Sequence, residues 1–525
     1  MVFLYLLRLV LAFSPSYIHP DEHCQNPDIS ASFLGHIHRD FTYEWALPYP
    51  MRSIIPVFLT TGWPFYLVDS LSMLFTGKPA SARILFATER LVFVFISFTI
   101  DYTVQQLTNK KRLASLLVQS SGLVLTLLLH SFSNSIETSI VGISLLLLKR
   151  IDDRLSSGPS APPPSQLLFW LAFSLVFGIW NRFTFVIFVF VVGVALIISV
   201  VRSRHKSTST ITLSGVLSHY SLIDITQKLY PAIIGGFFAI FIMISIDSLY
   251  FGQLVITPLN AALFNISNSG QFGVHPLWQH FLINMPGIFM PYMFGFLLTL
   301  INIKLCKDLI LQSSVAYIVL TVTILTANPH KEARFLLSLL IPFILLCSSA
   351  VPQSPMLYKF GKFLILGHAI GLVFVYCCVY RVGTLQAVFE FNKHIEHPNT
   401  VISANCVEGI EVIYWKVSWP PNYLMFSGAI PECQDTILSS NHDKTPREEF
   451  LRYLQEERKA PVRYVLAELW EVRNSDMQEA LLNSGLRLEP VFDKYFGPDL
   501  LNIPKHGYMG ACYAWFEVSR PKEDR

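Results

Sequence analysis

Charge is what this chain has little of. Of its 525 residues, 14% are Asp, Glu, Lys or Arg, whereas 52% are hydrophobic and 14% aromatic. A soluble globular protein carries about 25% charged residues, so a body folded in water is excluded, and a mean hydropathy of +0.46 points to a membrane. The shortage is uneven. Residues 1–381 hold 24 Lys/Arg and 15 Asp/Glu, 10% charged, while residues 382–525 hold 15 Lys/Arg and 21 Asp/Glu, an ordinary 25%. The chain therefore reads as a membrane body (1–381) followed by a small acidic domain of mixed structure (382–525). A body of +9 against a tail of −6 leaves +3 overall, which excludes nucleic acid as a partner.

Paired cysteines are also missing. Eight cysteines without one CxxC exclude a zinc ribbon and a secreted disulfide scaffold. Cys306, Cys347, Cys377 and Cys378 lie in or beside apolar runs and read as packing residues. Cys24, Cys406, Cys433 and Cys512 lie in polar segments, where an oxidising compartment would permit pairing; their connectivity is left open. Internal repeats and paired Gly/Pro-interrupted spans are absent too, which weighs against a lipid transporter or scramblase.

Apolar runs are what the body has instead. A span needs about 20 mostly apolar residues, and eleven are expected near 1–16, 84–107, 112–130, 135–149, 166–180, 183–201, 232–250, 284–303, 308–327, 335–351 and 362–380. The first lacks a basic n-region and a small-x-small cleavage site, so it is expected to be a retained span. Lys110–Arg112, Lys149 with Arg150 and Arg154, Arg202 with Arg204 and Lys206, Lys304 with Lys307, and Lys359 with Lys362 follow every even-numbered span. Basic loops mark the cytosol. The long 14–83 loop, the turns near 132, 181 and 330, the 251–283 loop and the tail then share the opposite face, and the Pro-rich stretch 157–165 is cytosolic. The sequon Asn265-Ile266-Ser267 falls on that opposite face as a glycosylation candidate.

The polar residues of that face are the candidate site. The 14–83 loop opens Tyr17-Ile18-His19-Pro20-Asp21-Glu22-His23-Cys24-Gln25, with Pro20 suited to start a helix and two acids in its first turn. Helix-end charge complementation alone would account for such a pair. His19 and His23 stand four apart with carboxylates between them, but a third metal ligand at a familiar spacing is missing. Glu44, Arg52, Asn134, Glu137, Asn181, Arg182, Asp247, His275, His330, Lys331 and Arg334 fall on the same face. Ionisable groups near membrane depth are costly and point to function. Together they match an enzyme acting on an anionic lipid, with a carboxylate base and cations for a phosphate leaving group. Glu89, Arg90 and Asp101 lie inside the second span, where a mutual ion pair packing helices explains them equally well.

In this order, Tyr17–Gln25, Phe132–Glu137, Asp247–Phe251, Thr257–Asn260 and His330–Phe335 resemble strings of the GT-C mannosyltransferases of glycosyltransferase family 22. Members of this family use dolichyl-phosphate mannose in the endoplasmic reticulum lumen. The resemblance covers most of residues 14–350 and is nearest to the branch that adds the fourth mannose to a GPI-anchor precursor; the third-mannose and N-glycan branches are the competing readings. Phe183 and Ser338 stand where that family usually has Pro. The resemblance implies an all-α polytopic GT-C bundle of about eleven transmembrane helices with a lumenal first loop. It also implies a multi-pass endoplasmic reticulum enzyme that takes mannose from dolichyl-phosphate mannose and links it α-1,2, with inversion, to a GPI glycolipid. Inversion requires one base and no covalent intermediate. Asp21 is the implied base and Glu22 its alternate. Arg182, His330, Lys331 and Arg334 are the implied phosphate cations, with His19, Glu44, Arg52, Asn134, Glu137 and His275 as further substrate contacts. No metal and no cofactor are expected.

Overall fold

The computed structural model describes residues 2–34, 42–157, 163–202, 222–268, 273–301, 308–350, 355–396, 410–417, 421, 424, 437–442, 444–455, 462–492, 495–498 and 512–519. Arg204, Lys206, Lys304, Lys307, Cys306, Cys406, Cys433 and most of the Pro-rich stretch lie outside them. The described part of residues 2–396 is helical, and strands occur only beyond residue 410.

Among the described residues, seven helices are long and apolar enough to cross a membrane: Ile54–Thr76, Phe183–Arg202, Ile225–Phe251, His280–Ile301, Leu309–Ala327, Ala333–Ala350 and Gly361–Lys393. Lys111–Gln119 and Gly122–Leu129 add an eighth if their 52° bend is one broken span. The other expected spans are helical too but shorter or more charged than these. Val2–Ala12 and Ser165–Asn181 are apolar but have only 11 and 17 residues, and Ala82–Leu107 and Ser133–Ser156 are long but carry charges. One helix is additional. Ile54–Thr76 lies inside the segment expected to be loop, because a π-turn at Phe58–Gly62 carries the helix on and Pro64 sits in the first turn beyond it, where proline costs no hydrogen bond.

The core of the body forms around Ala333–Ala350, whose residues Leu336 to Cys347 are all buried. Close approach of the helices depends on small residues. A Cβ on Gly295 would lie 2.4 Å from the Cys347 Cα, and one on Gly142 would meet Thr103 and Ile341. Charges within the body are paired across elements: Arg8 Nη1 lies 2.6 Å from Asp101 Oδ2, and Arg90 Nη2 lies 2.9 Å from Glu22 Oε1. Arg90 and Asp101 thus pair outside their own helix and not with each other. Residues on one helix that far apart cannot reach each other, whereas the facing elements can.

Beyond the body, β1 (Ile410–Trp415), β2 (Ile437–His442), β3 (Val462–Glu468), β4 (Arg487–Pro490), β5 (Phe496–Pro498) and β6 (Cys512–Ser519) form one sheet in the order β2-β1-β3-β6-β4, with β5 on β6. β1 runs parallel to β2 and to β3, and β6 antiparallel to β3. Alternation sends Ile413, Trp415, Val465 and Phe516 to a core with Phe450 and Met477. The other face, with Tyr414, Tyr464, Leu466 and Trp515, packs on helix Val382–Glu396 and joins Tyr17, Phe65 and Phe86 of the body in one core. Trp515 stacks on Phe391 with ring centroids 4.2 Å apart and donates its Nε1–H to Ala387 O at 2.9 Å.

Candidate active site

A cavity of about 680 Å³ opens between these elements, with Asp21, Arg182, Arg334 and the turn 328–332 on its walls. Asp21 reaches it from a helix of four residues, Asp21–Cys24, with Pro20 in front. So short a helix has almost no macrodipole, so the carboxylate is held by ion pairs rather than by the helix end. Arg334 Nη2 donates to Asp21 Oδ2 at 2.7 Å. The Asp21 backbone N–H donates to His19 Nδ1 at 3.2 Å, and that nitrogen is also 3.2 Å from Asp21 Oδ1. Burial works to raise the Asp21 carboxyl, but Arg334 and His19 outweigh it and hold the group well below the usual carboxylate range.

Arg334 is shared. Its Nε donates to Glu332 Oε2 and its Nη2 to Glu332 Oε1 at 3.1 Å, while His330 Nε2 lies 2.7 Å from that same Oε1. Burial would raise Glu332 as well, and His330 and Arg334 reverse it, leaving the carboxyl below its ordinary value. The Arg334 guanidinium also lies over Phe132 and Phe335, and Arg182 lies over Phe335 from elsewhere. One ring therefore spaces two guanidiniums on the cavity wall.

The remaining polar residues divide into wall and support. Arg52 sits on the wall and donates to Glu44 Oε1 through Nε at 3.1 Å and Nη2 at 2.8 Å; Gln25 donates to Glu44 Oε2 at 2.9 Å. Arg182 on the wall donates to Asn134 Oδ1 at 3.1 Å and lies 3.0 Å from Glu137 Oε2. Asn134 and Glu137 themselves are buried and do not line the cavity. Lys331 is the clearest departure from expectation. Its Nζ donates to the carbonyls of Asn328 at 2.6 Å, His275 at 3.2 Å and Pro329 at 3.4 Å. The ammonium is buried behind the wall and ties the 328–332 turn together, alongside the His275 backbone N–H, which donates to Pro329 O at 3.0 Å. His275 accepts the Lys331 backbone N–H at 3.2 Å and also stands off the wall.

Glu22 is likewise separate from Asp21. It is 1% exposed, with Oε1 2.7 Å from His130 Nδ1 and Oε2 accepting the Ile18 N–H at 3.0 Å. Burial would raise its carboxyl, yet His130 and Arg90 bring it down to about 2. Burial and the neighbouring Arg90 push the His130 pKa down, against the opposing pull of Glu22. Glu22 thus anchors the loop from behind and is not on the cavity wall. His19 is on the wall, whereas His23 is buried edge-on to Tyr17 at 5.2 Å. Asn265 lies in helix Thr257–Ser267 and lines the cavity, its Nδ2 donating to Ala261 O at 2.8 Å. Of the two positions without Pro, Phe183 opens a short 3-10 turn and Ser338 bonds Tyr317 at 2.8 Å.

Several wall residues were not singled out from the sequence. Glu332 sat within the quoted His330–Phe335 string, and its i, i+2 spacing to Arg334 was the available signal. Tyr43 stacks with Phe264 at 5.6 Å to make an aromatic wall. Lys444 comes from the C-terminal domain, and nothing in its local sequence announces it.

A family model described as the Alg9-like mannosyltransferase family matches residues 1–425. GPI mannosyltransferase 4 of Aspergillus oryzae is 28% identical over 458 residues, covering 80% of this chain and 76% of its own length. The protein of the same description from Schizosaccharomyces pombe is 28% identical over 434 residues, with 81% and 75% covered. Among solved structures, ArnT from Cupriavidus metallidurans in the apo state superposes with a TM-score of 0.57 over 98% of this chain and 97% of that one, at 9% identity. The likeness to ArnT is one of fold.

Proposed function

Because the chain belongs to the Alg9-like mannosyltransferase family and is therefore a membrane glycosyltransferase, we propose that it moves mannose from dolichyl-phosphate mannose to the third mannose of a GPI-anchor precursor. The bond is α-1,2 and forms with inversion, and the site faces the endoplasmic reticulum lumen. The description shared by the relatives, GPI mannosyltransferase 4, supports the acceptor. The basic clusters that follow the expected even-numbered spans support the sidedness. The single observation that carries the chemistry is the Asp21 side chain on a cavity wall, 2.7 Å from a guanidinium that also contacts Glu332.

In one displacement the 2-hydroxyl oxygen of the acceptor mannose attacks C1 of the donor. The C1–O bond to phosphate breaks, its electron pair leaves with dolichyl phosphate, and the hydroxyl proton passes to the Asp21 carboxylate. Arg334 is the cation placed to meet both groups. When the phosphate arrives, the fork is shared between phosphate and Asp21, which lowers its hold on Asp21 and makes the carboxylate a better base as charge grows on the leaving group. Arg182 and Arg52 add guanidinium groups from the other walls. The cations supply the charge stabilisation, so the reaction is proposed to need no metal and no cofactor.

Depletion of the protein, followed by mass spectrometry of lipid-linked glycans, tests this reading. A GPI precursor with three mannoses should accumulate, and wild-type protein should clear it. Asp21→Asn should not, since removing the base costs about 10²-fold or more while Asn preserves size. Accumulation of an N-glycan precursor would move the chain to another branch, and full rescue by Asp21→Asn would remove the base.

A further inference from the structure

Four cationic side chains, Arg52, Arg182, Arg334 and Lys444, line the cavity. Three are already engaged: Arg52 with Glu44, Arg182 with Glu137, and Arg334 with Asp21 and Glu332. Lys444 has no carboxylate and no hydrogen-bond partner among the described residues. Glu448 and Glu449, which follow it in the first turn of helix Arg447–Gln455, are exposed and off the wall. Among the described residues Lys444 is therefore the wall cation that no carboxylate contacts, and with it four cations stand against the four carboxylates Asp21, Glu44, Glu137 and Glu332.

Its position comes from the sheet. β1, β2 and β3 run parallel, so their carboxyl ends share one edge, and Lys444 stands two residues beyond the end of β2 at His442. Beyond the carboxyl edge of parallel strands is where α/β sheets commonly hold ligands. The domain is docked on the body through one continuous core that includes Tyr17, four residues before Asp21. The same packing that seats the sheet therefore sets the distance between Lys444 and the base.

We propose that Lys444 is a substrate-binding residue delivered by the C-terminal domain, which takes the phosphate diester of a lipid-linked sugar at the cavity mouth. The inference rests on the reading above for the identity of the substrates. Two phosphate diesters enter the reaction, one in dolichyl-phosphate mannose and one in the glycosylphosphatidylinositol acceptor, and a lysine recognises either as a point charge.

The test uses purified full-length protein in detergent, with dolichyl-phosphate mannose and the GPI precursor each varied against saturating partner. Lys444→Ala should raise one KM about three- to tenfold, the range for a charge-assisted contact open to solvent. Its kcat should change little, because uniform binding is what is lost. Lys444→Arg should restore most of the affinity and Lys444→Glu should weaken it further. A shift in the donor KM assigns the donor phosphate, and a shift in the acceptor KM assigns the acceptor phosphate. If wild type turns over and both KM values are unchanged in Lys444→Ala and Lys444→Glu, the inference is overturned alone. If wild type transfers no mannose between these substrates, the functional reading fails and the inference falls with it.

Discussion

At the scale of single residues, the site depends on one guanidinium serving two carboxylates. Arg334 pairs with both Asp21 and Glu332 on the cavity wall, and in the proposed mechanism it shares its fork with the leaving phosphate. Arg334→Ala should lower mannose transfer by about 10²–10³-fold, as for loss of a donor facing a developing anion, and Arg334→Lys should recover part of it because an ammonium has no planar fork. A pH profile separates this role from a packing role. With Asp21 as the proposed base, transfer needs its carboxylate ionised, so the rate falls as pH drops through the Asp21 pKa. With that pKa held well below the usual range, the acid limb of kcat/KM lies below ordinary carboxylate titration. Removing Arg334 takes away the principal opposing cation, so the limb moves to higher pH. Wild-type rates with an unmoved limb in the alanine variant would sink the role.

At the scale of elements, the sequence spelled out the pieces better than their junctions. The strings around Asp21 and His330–Phe335 were legible, because acids and bases in an apolar chain stand out. That Lys331 turns inward was not, since its target is three backbone carbonyls whose direction depends on how the turn closes. The same holds for Ile54–Thr76, a helix inside the segment expected to be loop, which a π-turn carries on. Helix contacts carry their own expectation. Gly295 lies against the backbone of Cys347, where a methyl would meet Cα at 2.4 Å; backbone in a packed helix cannot yield as a side chain can. Gly295→Ala should destabilise the body by about 1–3 kcal/mol, read as a lower midpoint of thermal unfolding in detergent. An unchanged midpoint would mean that helices His280–Ile301 and Ala333–Ala350 separate without cost.

At the scale of the whole molecule, sidedness is the open arrangement. Residues from the segments near 21, 44, 182, 265, 330 and 444 line one cavity, whose proposed side is the lumen. A glycosylation acceptor appended after Arg525 should therefore be modified in microsomes, and the tail should resist protease until the membrane is opened. A cleaved tail in sealed vesicles would put it in the cytosol and break the single-face reading. Asn265 needs no reporter for this purpose, since its amide is engaged within a helix on the cavity wall.

Composition alone settled that the body lives in a membrane and that the tail is a soluble-like domain, because burial of apolar surface and scarcity of charge are properties of the chain itself. Local strings were enough to bring forward Asp21, Arg182, His330 and Arg334, since each carries its chemistry in its side chain. Only the tertiary structure decided which of the polar residues meet: that Glu22 turns to Arg90 and His130 while Asp21 turns to Arg334, and that a lysine of the last domain joins them. Ion pairs between residues distant in sequence depend on packing, and neither residue type nor spacing encodes which partner a buried charge will find.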